Sequence, residues 1–490
     1  MQARAGYRPT IQAQAQPLLQ SAQQPTFFGT ISNQWSNSGA AALEVRQPLF
    51  TSGAVAWGVE AASDDIRVAR QGLRGTEAQV LQSVVQAYVD VRRDQAIVAA
   101  FESEVGVLQK QLDDASARRQ AGDITRTDVE QSQTQLESSR ASLTLAQGQL
   151  QVSRAAYFDV VGQNPGTLEP PPPLPGLPTT IDEAFTTAQA NNAALLQAQA
   201  QEHGNAARIA EAKSEYRPSV QLSSSLGYQG PLVPFNIKSE ERSFSISALV
   251  TIPLFTGGLA ESNVRKAVET DNSSRFNIET ARRSVLQQVS NAWNTALANR
   301  FSAQADARAV ETARKYFSDT EEEYRVGQRS TLDVLTAEEV LRAAEVAQAQ
   351  AEHDSYLAEA NLLAAVGRLE AADLVTNVPV YDPAAAFRRV RDRGSVPWES
   401  AVEALDKLGA TRIGPTRPLD APAIATSPAL RAGLQIPDDA PMSTAEPEAP
   451  LRGTTSPKTP PGLGDDRGRP YAPAAVTIPA DSTPSPEPTR

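Results

Sequence analysis

The sequence predicts a mainly α-helical protein with a smaller membrane-type β part, built as two internal structural repeats. Three observations carry this prediction: two very long helical stretches without proline, landmark residues that recur at one fixed spacing, and four segments of about ten residues that alternate apolar and polar side chains. The composition agrees, because aromatic residues make up only 6% of the chain and glycine supplies 28 of 490 residues.

The repeat is visible as a series of landmarks that return after about 205 residues. A proline-ended segment occurs in both copies, and so do two helix ends and one helix start. The matching groups are Pro48-Leu49-Phe50 and Pro253-Leu254-Phe255, Ala121-Gly122 and Val326-Gly327, Asp128-Val129 and Asp333-Val334, and Val161-Gly162 and Val366-Gly367. Each copy is therefore predicted to run strand, strand, very long helix, tight turn and shorter helix.

These landmarks divide the chain into five regions. They are the first repeat at 1–166, a proline-rich equatorial linker at 167–180, the second repeat at 181–374, a C-terminal equatorial extension at 375–414, and a tail at 415–490. Helical periodicity stops in the extension, apart from a short helix predicted at 399–408. The tail is rich in proline and alanine and is predicted to be disordered, because it cannot bury enough apolar surface to offset the entropy of ordering.

The composition excludes several kinds of site. Cysteine is absent, which rules out a disulfide, a thiolate metal site and a cysteine nucleophile. His203 and His353 lie far apart, have no neighbours typical of a metal cluster, and are predicted to be surface residues. The net charge of -12 argues against nucleic acid as a partner. Since no phosphate-binding loop or nucleophile motif is present, we predict no enzyme activity and no cofactor.

The two long helical stretches exceed what a globular domain can hold. Residues 58–120 contain no proline, and apolar residues such as Phe101, Val105 and Leu108 follow alternating steps of four and three. A helix of about 62 residues spans roughly 90 Å, which favours coiled-coil packing. Shorter helices are predicted over 127–161, 181–215 and 330–366. Two of these, laid end to end, match one long helix.

The β segments alternate in the manner of outer-membrane barrel strands. In the third segment Val220, Leu222 and Leu226 share one face, and Ser219 and Ser223 share the other. An ordinary antiparallel sheet with one solvated face is the alternative, and alternation alone leaves it open. Four strands cannot close a barrel, and lipid excludes open sheet edges. A barrel must therefore be shared, with eight strands from two protomers or twelve from three, and the strands themselves do not decide between these.

Residues 1–374 resemble the TolC-like family of outer-membrane efflux and secretion channels, in particular the subgroup used by type I secretion systems and drug efflux pumps. The resemblance rests on two strand ends and one turn, which are Gln47-Pro48-Leu49-Phe50, Ile252-Pro253-Leu254-Phe255, and the stretch from Tyr324 to Leu335. It implies a homotrimer with a shared twelve-stranded barrel in outer-membrane lipid that continues into a coiled-coil tunnel in the periplasm. It also implies two partners, a periplasmic adaptor (membrane fusion) protein and an inner-membrane transporter, either an ABC transporter or a proton-driven pump.

The resemblance further implies roles for residues at the tunnel tip. The residues that would lock a closed entrance are Thr127, Asp128, Tyr324 and Arg329. Asp333 matches one of two aspartate rings at the lumen constriction, whereas Thr336 departs from the second. Gly122 and Gly327 match the hairpin-tip turns. Helix capping is an alternative role for both aspartates, because Thr125 with Asp128 and Ser330 with Asp333 have the spacing of a capping box.

Two further expectations concern export. The sequence has no run of about 18 apolar residues that would form a transmembrane helix, and its start lacks the apolar core of a signal peptide. If the copies are equivalent, about 35 helical residues matching 181–215 and a signal peptide should precede Tyr7.

A passive export duct with an iris-like periplasmic gate is the preferred hypothesis. The alternative is a periplasmic coiled-coil scaffold without a pore, which would not need four alternating strands.

Overall fold

The computed structural model describes residues 2–25, 31–166, 168–230, 241–374, 382–391 and 393–410. The chain divides into two compact units, Met1–Gln435 and Ile436–Arg490, and every described residue belongs to the first. The tail predicted at 415–490 and part of the extension predicted at 375–414 lie outside the described residues.

Long helices dominate the described part of the chain. After a 3₁₀ turn at Ala3–Tyr7, the elements are β1 (Thr10–Pro25), β2 (Ile31–Phe50), α1 (Ala54–Ala121), α2 (Arg126–Val161), α3 (Ile181–Asn191), α4 (Ala193–Ser214), β3 (Ser219–Gly230), β4 (Glu241–Thr251), α5 (Leu259–Arg325), α6 (Thr331–Val366), α7 (Ala371–Leu374), α8 (Pro383–Arg391) and α9 (Glu399–Ala410). The two longest, α1 and α5, contain 68 and 67 residues. Each therefore extends roughly 100 Å.

The helices pack as two hairpins joined by a shared neighbour. Helix α1 pairs with α2, α5 pairs with α6, and α4 lies against both α1 and α5. The largest core cluster joins α3, α5 and α6 through residues such as Phe185, Val289 and Leu363. A second, smaller cluster near the hairpin tips contains Leu108 and Leu136. Among the described helices, none is both long enough and apolar enough to cross a membrane.

The prediction of one continuous helix over 181–215 is wrong, because the helix breaks at Asn192. This residue has φ −62° and ψ 121°, and its side-chain oxygen accepts a hydrogen bond from the backbone N–H of Ala194 at 3.0 Å. Its Nδ2 donates to the backbone carbonyl of Ala365 at 2.9 Å. Asparagine competes with the helical backbone in this way, so Asn192 ends α3 and caps α4.

Two smaller predictions also need correction. Helix α8 lies where the sequence predicted no helical periodicity, whereas the predicted short helix at 399–408 is present as α9. His203 is exposed as predicted, but His353 is only 8% exposed. Its Nδ1 is hydrogen-bonded to Asp354 at 2.8 Å, and its Nε2 lies 2.9 Å from a carboxylate oxygen of Asp90 without hydrogen-bond geometry, so the ring is buried between α1 and α6 next to two carboxylates.

The four strands form one antiparallel sheet in the order β1-β2-β3-β4. The register places Leu43 opposite Leu226 and Leu226 opposite Phe244, while Glu44 lies opposite Ser225 and Ser225 opposite Ser245. Because side chains alternate along a strand, this register collects apolar residues on one face and polar residues on the other. The apolar face is exposed, with Leu226 at 55% and Phe244 at 69%.

Candidate functional site

The residues predicted to form a gate lie at the tips of the two hairpins, at the ends of α1 and α5 far from the sheet. Both tips turn at a glycine with positive φ, Gly122 at +89° and Gly327 at +80°. A Cβ at either position would meet no atom within 4 Å, so the requirement for glycine is conformational rather than spatial.

Each tip continues into a capping box, so both aspartates cap a helix as their spacing predicted. Asp128 accepts hydrogen bonds from the backbone N–H and the hydroxyl of Thr125, both at 2.9 Å. Asp333 accepts the same pair from Ser330 at 2.9 and 2.8 Å. The backbone hydrogen bond from Ser330 is the main reason that the pKa of Asp333 lies below its usual value.

Tyr324 connects the two hairpins, and its partner was not found from the sequence. The guanidinium of Arg118 in α1 lies 4.4 Å from the centre of the Tyr324 ring in α5. The Tyr324 hydroxyl is 3.5 Å from Oγ1 of Thr331 on its own tip. A cation–π contact of this kind is partly exposed and can be broken without unfolding a helix. The only sequence signal was a pair of arginines in the last turn of α1.

The other predicted gate residues make local contacts. Arg329 pairs with Glu323 at 2.6 Å across the α5–α6 turn, and this hydrogen bond raises the pKa of the guanidinium. Thr336 donates to the backbone carbonyl of Leu332 at 2.9 Å. Thr127 is exposed. Within the described residues, neither Thr127 nor Thr336 forms a hydrogen bond with Tyr324 or Arg329. Tyr324 and Arg329 lie on either side of the same α5–α6 turn.

A buried charged junction lies just inside the tips. Glu104 of α1 is 3% exposed and accepts hydrogen bonds from Ser139 of α2 at 2.7 Å and from Arg342 of α6 at 3.2 Å. Glu338 of α6 is 4% exposed, and its Oε2 has no hydrogen-bond partner among the described residues.

Burial is the main reason that the pKa of Glu338 is raised to about 7; the nearby Glu104, Glu345 and Glu321 contribute to the rise, and Arg342 opposes it. The sequence signal for this junction was a charged residue at a helix position otherwise occupied by apolar residues. Periodicity alone does not show that such a residue is buried. The junction ties the two hairpins together close to the candidate gate.

A solved structure has the same fold as this chain. The outer membrane protein VceC from Vibrio cholerae has the same fold with a TM-score of 0.62 at 21% identity, over 75% of this chain and 88% of that chain. The chain therefore shares the fold of that outer membrane protein.

Sequence comparison identifies the family. The family model for outer membrane efflux proteins matches residues 1–163 and 185–368. The outer membrane efflux protein BepC of Brucella suis is 29% identical over 398 residues, covering 80% of this chain and 87% of the relative. The outer membrane protein TolC of Escherichia coli is 24% identical, covering 69% and 71%. The chain belongs to the outer membrane efflux protein family, which is a family of transport channels and not of enzymes, and it serves as an outer-membrane exit duct.

Proposed function

We propose that three copies of this chain close one twelve-stranded barrel in the outer membrane and that their helices continue as a tunnel in the periplasm. Within the described residues, β1 and β4 pair on one side only, so each presents an edge. Four strands are too few to close, and lipid does not tolerate edges. Edge-to-edge assembly of copies satisfies both constraints.

The two-faced sheet is the observation that carries this proposal. A barrel in lipid needs apolar side chains outside and polar side chains toward the lumen. The register supplies both, because Leu43 and Leu226 align on one face while Glu44 and Ser225 align on the other. This arrangement supports a pore over a scaffold, which has no use for an exposed apolar sheet.

Single-cysteine substitution tests which face lines the lumen, since the native chain has no cysteine. Ser225→Cys and its sequence neighbour Leu226→Cys form a matched pair on opposite faces. A charged thiol reagent should reduce single-channel conductance in planar bilayers for Ser225→Cys and leave Leu226→Cys unchanged. Equal block of both, or a protein that conducts no ions, would contradict the pore. The mass of the detergent-solubilised full chain should correspond to three copies.

We further propose that the hairpin tips form the closed periplasmic entrance and receive an adaptor protein and an inner-membrane transporter. Thr127, Asp128, Tyr324 and Arg329 hold the tips together, and Asp333 with Thr336 lines the constriction. The exposed pairs at the tips support this, since such contacts are individually weak. Three copies multiply a small energy into a useful barrier that docking can still overcome. Efflux and type I protein secretion are both compatible with this duct.

A further inference from the structure

Helix α9 buries two of its carboxylates, Glu399 and Asp406, and exposes both of its leucines. Asp406 is 1% exposed and accepts hydrogen bonds from the backbone N–H groups of Thr51 at 2.8 Å and Gly53 at 3.0 Å. Glu399, 4% exposed, and Glu403 form ion pairs with arginines at the start of the chain. These contacts fix the polar side of α9 against the beginning of α1.

The opposite side of α9 is an exposed apolar stripe. Leu405 is 46% exposed and Leu408 is 67% exposed, and Ala401 and Ala404 are exposed between them at helical spacing. Trp398, just before the helix, is 50% exposed. A helix on a water-soluble surface has the reverse arrangement, with its apolar stripe toward the core. The arrangement in α9 is therefore suited to an apolar environment outside the protein.

The position of α9 indicates what that environment is. The indole nitrogen of Trp398 donates to Oε1 of Gln47 at 3.1 Å, and Gln47 lies opposite Leu222 in the sheet register. Alternation puts Gln47 on the same face as Leu43, which is the apolar face. Helix α9 thus covers the helix-side end of that face, where Ile11 (66% exposed) and Leu43 (43% exposed) continue the apolar surface along the strands.

The charges around the stripe fit the same environment. Arg393, five residues before Trp398, and Lys407, next to Leu408 in sequence, are both exposed, and Lys407 also pairs with Glu403 at 2.8 Å. Helices that lie in a membrane surface combine an apolar side and a tryptophan with flanking cations, which interact with lipid phosphates. The stripe, the indole and the cations occur together at the level where the strands end and the long helices begin.

We propose that α9 is an interfacial helix whose Trp398–Leu408 stripe enters the phospholipid of the inner leaflet of the outer membrane. This inference rests on the proposed function, because it requires the apolar face of the sheet to lie in lipid. In each protomer α9 would mark the membrane surface and fix how deeply the strands are inserted.

Fluorescent labels on single cysteines test this in the full chain, reconstituted in phosphatidylethanolamine–phosphatidylglycerol vesicles. Ala404→Cys and Leu405→Cys probe the stripe, Phe244→Cys is the positive control on the sheet, and Gln328→Cys at a hairpin tip is the negative control. A spin label near the lipid headgroup should quench Ala404→Cys and Leu405→Cys at least about twofold more than Gln328→Cys. A spin label deep in the acyl chains should favour Phe244→Cys.

The outcomes separate the two proposals. Quenching of Phe244→Cys without quenching of the α9 sites would overturn the interfacial helix and leave the barrel intact. In that case a blue-shifted emission at the α9 sites would show that protein covers the stripe, either a second copy or the C-terminal tail. If lipid quenches none of the labels, the barrel in lipid and the interfacial helix both fail.

Discussion

The two ends of helix α1 are held by opposite kinds of contact. At the sheet end, one buried carboxylate, Asp406, fixes the first turn through several hydrogen bonds. At the tip, the last turn is held by a partly exposed stacking contact between Arg118 and Tyr324, next to an exposed ion pair between Arg329 and Glu323. Buried, fully paired charges are costly to break, whereas exposed pairs are individually weak. The contacts that hold the first turn of α1 are therefore stronger than those that hold its last turn.

The largest effect is expected at the sheet end. Asp406→Ala should lower the local stability of the first turn of α1 by roughly 3–5 kcal/mol, because it leaves several buried N–H groups unpaired. Hydrogen exchange of the amides at 51–56 measures this. Lys407→Ala, an exposed neighbour, serves as the control and should change little. Similar exchange rates in both variants would show that Asp406 does not hold the helix.

The next effect tests the junction between the ends. The pKa of Glu338 is raised to about 7, mainly by burial and also by nearby carboxylates, whereas an unfolded glutamate titrates at about 4.3. The folded state therefore binds the proton more tightly, so stability should fall as pH rises from about 4 to about 7 and stay constant above that. Glu338→Gln should remove this slope and stabilise the protein at pH 8 by up to about 4 kcal/mol.

Thermal unfolding at a series of pH values checks this prediction. Glu339→Gln is the matched control, because its carboxylate is next in sequence but 60% exposed. If the two variants melt alike at pH 8, the carboxyl of Glu338 is not buried in solution.

At the tip, we expect an effect of about 1 kcal/mol or less. Arg118→Leu removes the cation from the Tyr324 ring, a contact worth about 0.5–1 kcal/mol. The tips should separate more readily, so single-channel conductance should rise while the oligomer stays intact. Arg119→Leu, the next residue in the same turn, is the control. A conductance equal to that of the unmodified protein would exclude Arg118 from the gate.

The smallest effect on stability is expected for Arg329→Ser, since it removes only an exposed ion pair with Glu323. Conductance should nevertheless increase if Arg329 locks the tips. Arg325→Ser removes a comparable exposed pair with Glu321 one turn away and should leave conductance unchanged. Equal conductance in both variants would favour the local-pair role seen in the structure and exclude Arg329 from the gate.

The sequence predicted the features that depend on residues close to one another along the chain. The long helices were predicted because heptad spacing and missing prolines persist over many turns, and α1 begins only four residues before the predicted residue 58. The two capping boxes were predicted because they depend on residues three apart. The apolar sheet face was predicted because alternation is a property of each strand alone.

What the sequence could not provide depends on tertiary contacts. The break at Asn192 depends on a carbonyl 173 residues away in α6. The contact of Arg118 with Tyr324 joins different hairpins. Helix α9 shows the limit most clearly, because periodicity shows that it has two faces but not that the charged face is the buried one.

The joint at Asn192 has a mechanical consequence for the tips. Helices α1 and α5 are continuous over their whole length, whereas α4 and α6 are separate helices that meet at Asn192. There the side chain of Asn192 donates one hydrogen bond to the backbone carbonyl of Ala365. Helix α6 has 36 residues, so its lever arm is about 54 Å. If α6 rotated by about 10° about this joint, its Asp333 end would move by about 9 Å over that length. A small rotation halfway along the helices would therefore move the hairpin tip by a much larger distance.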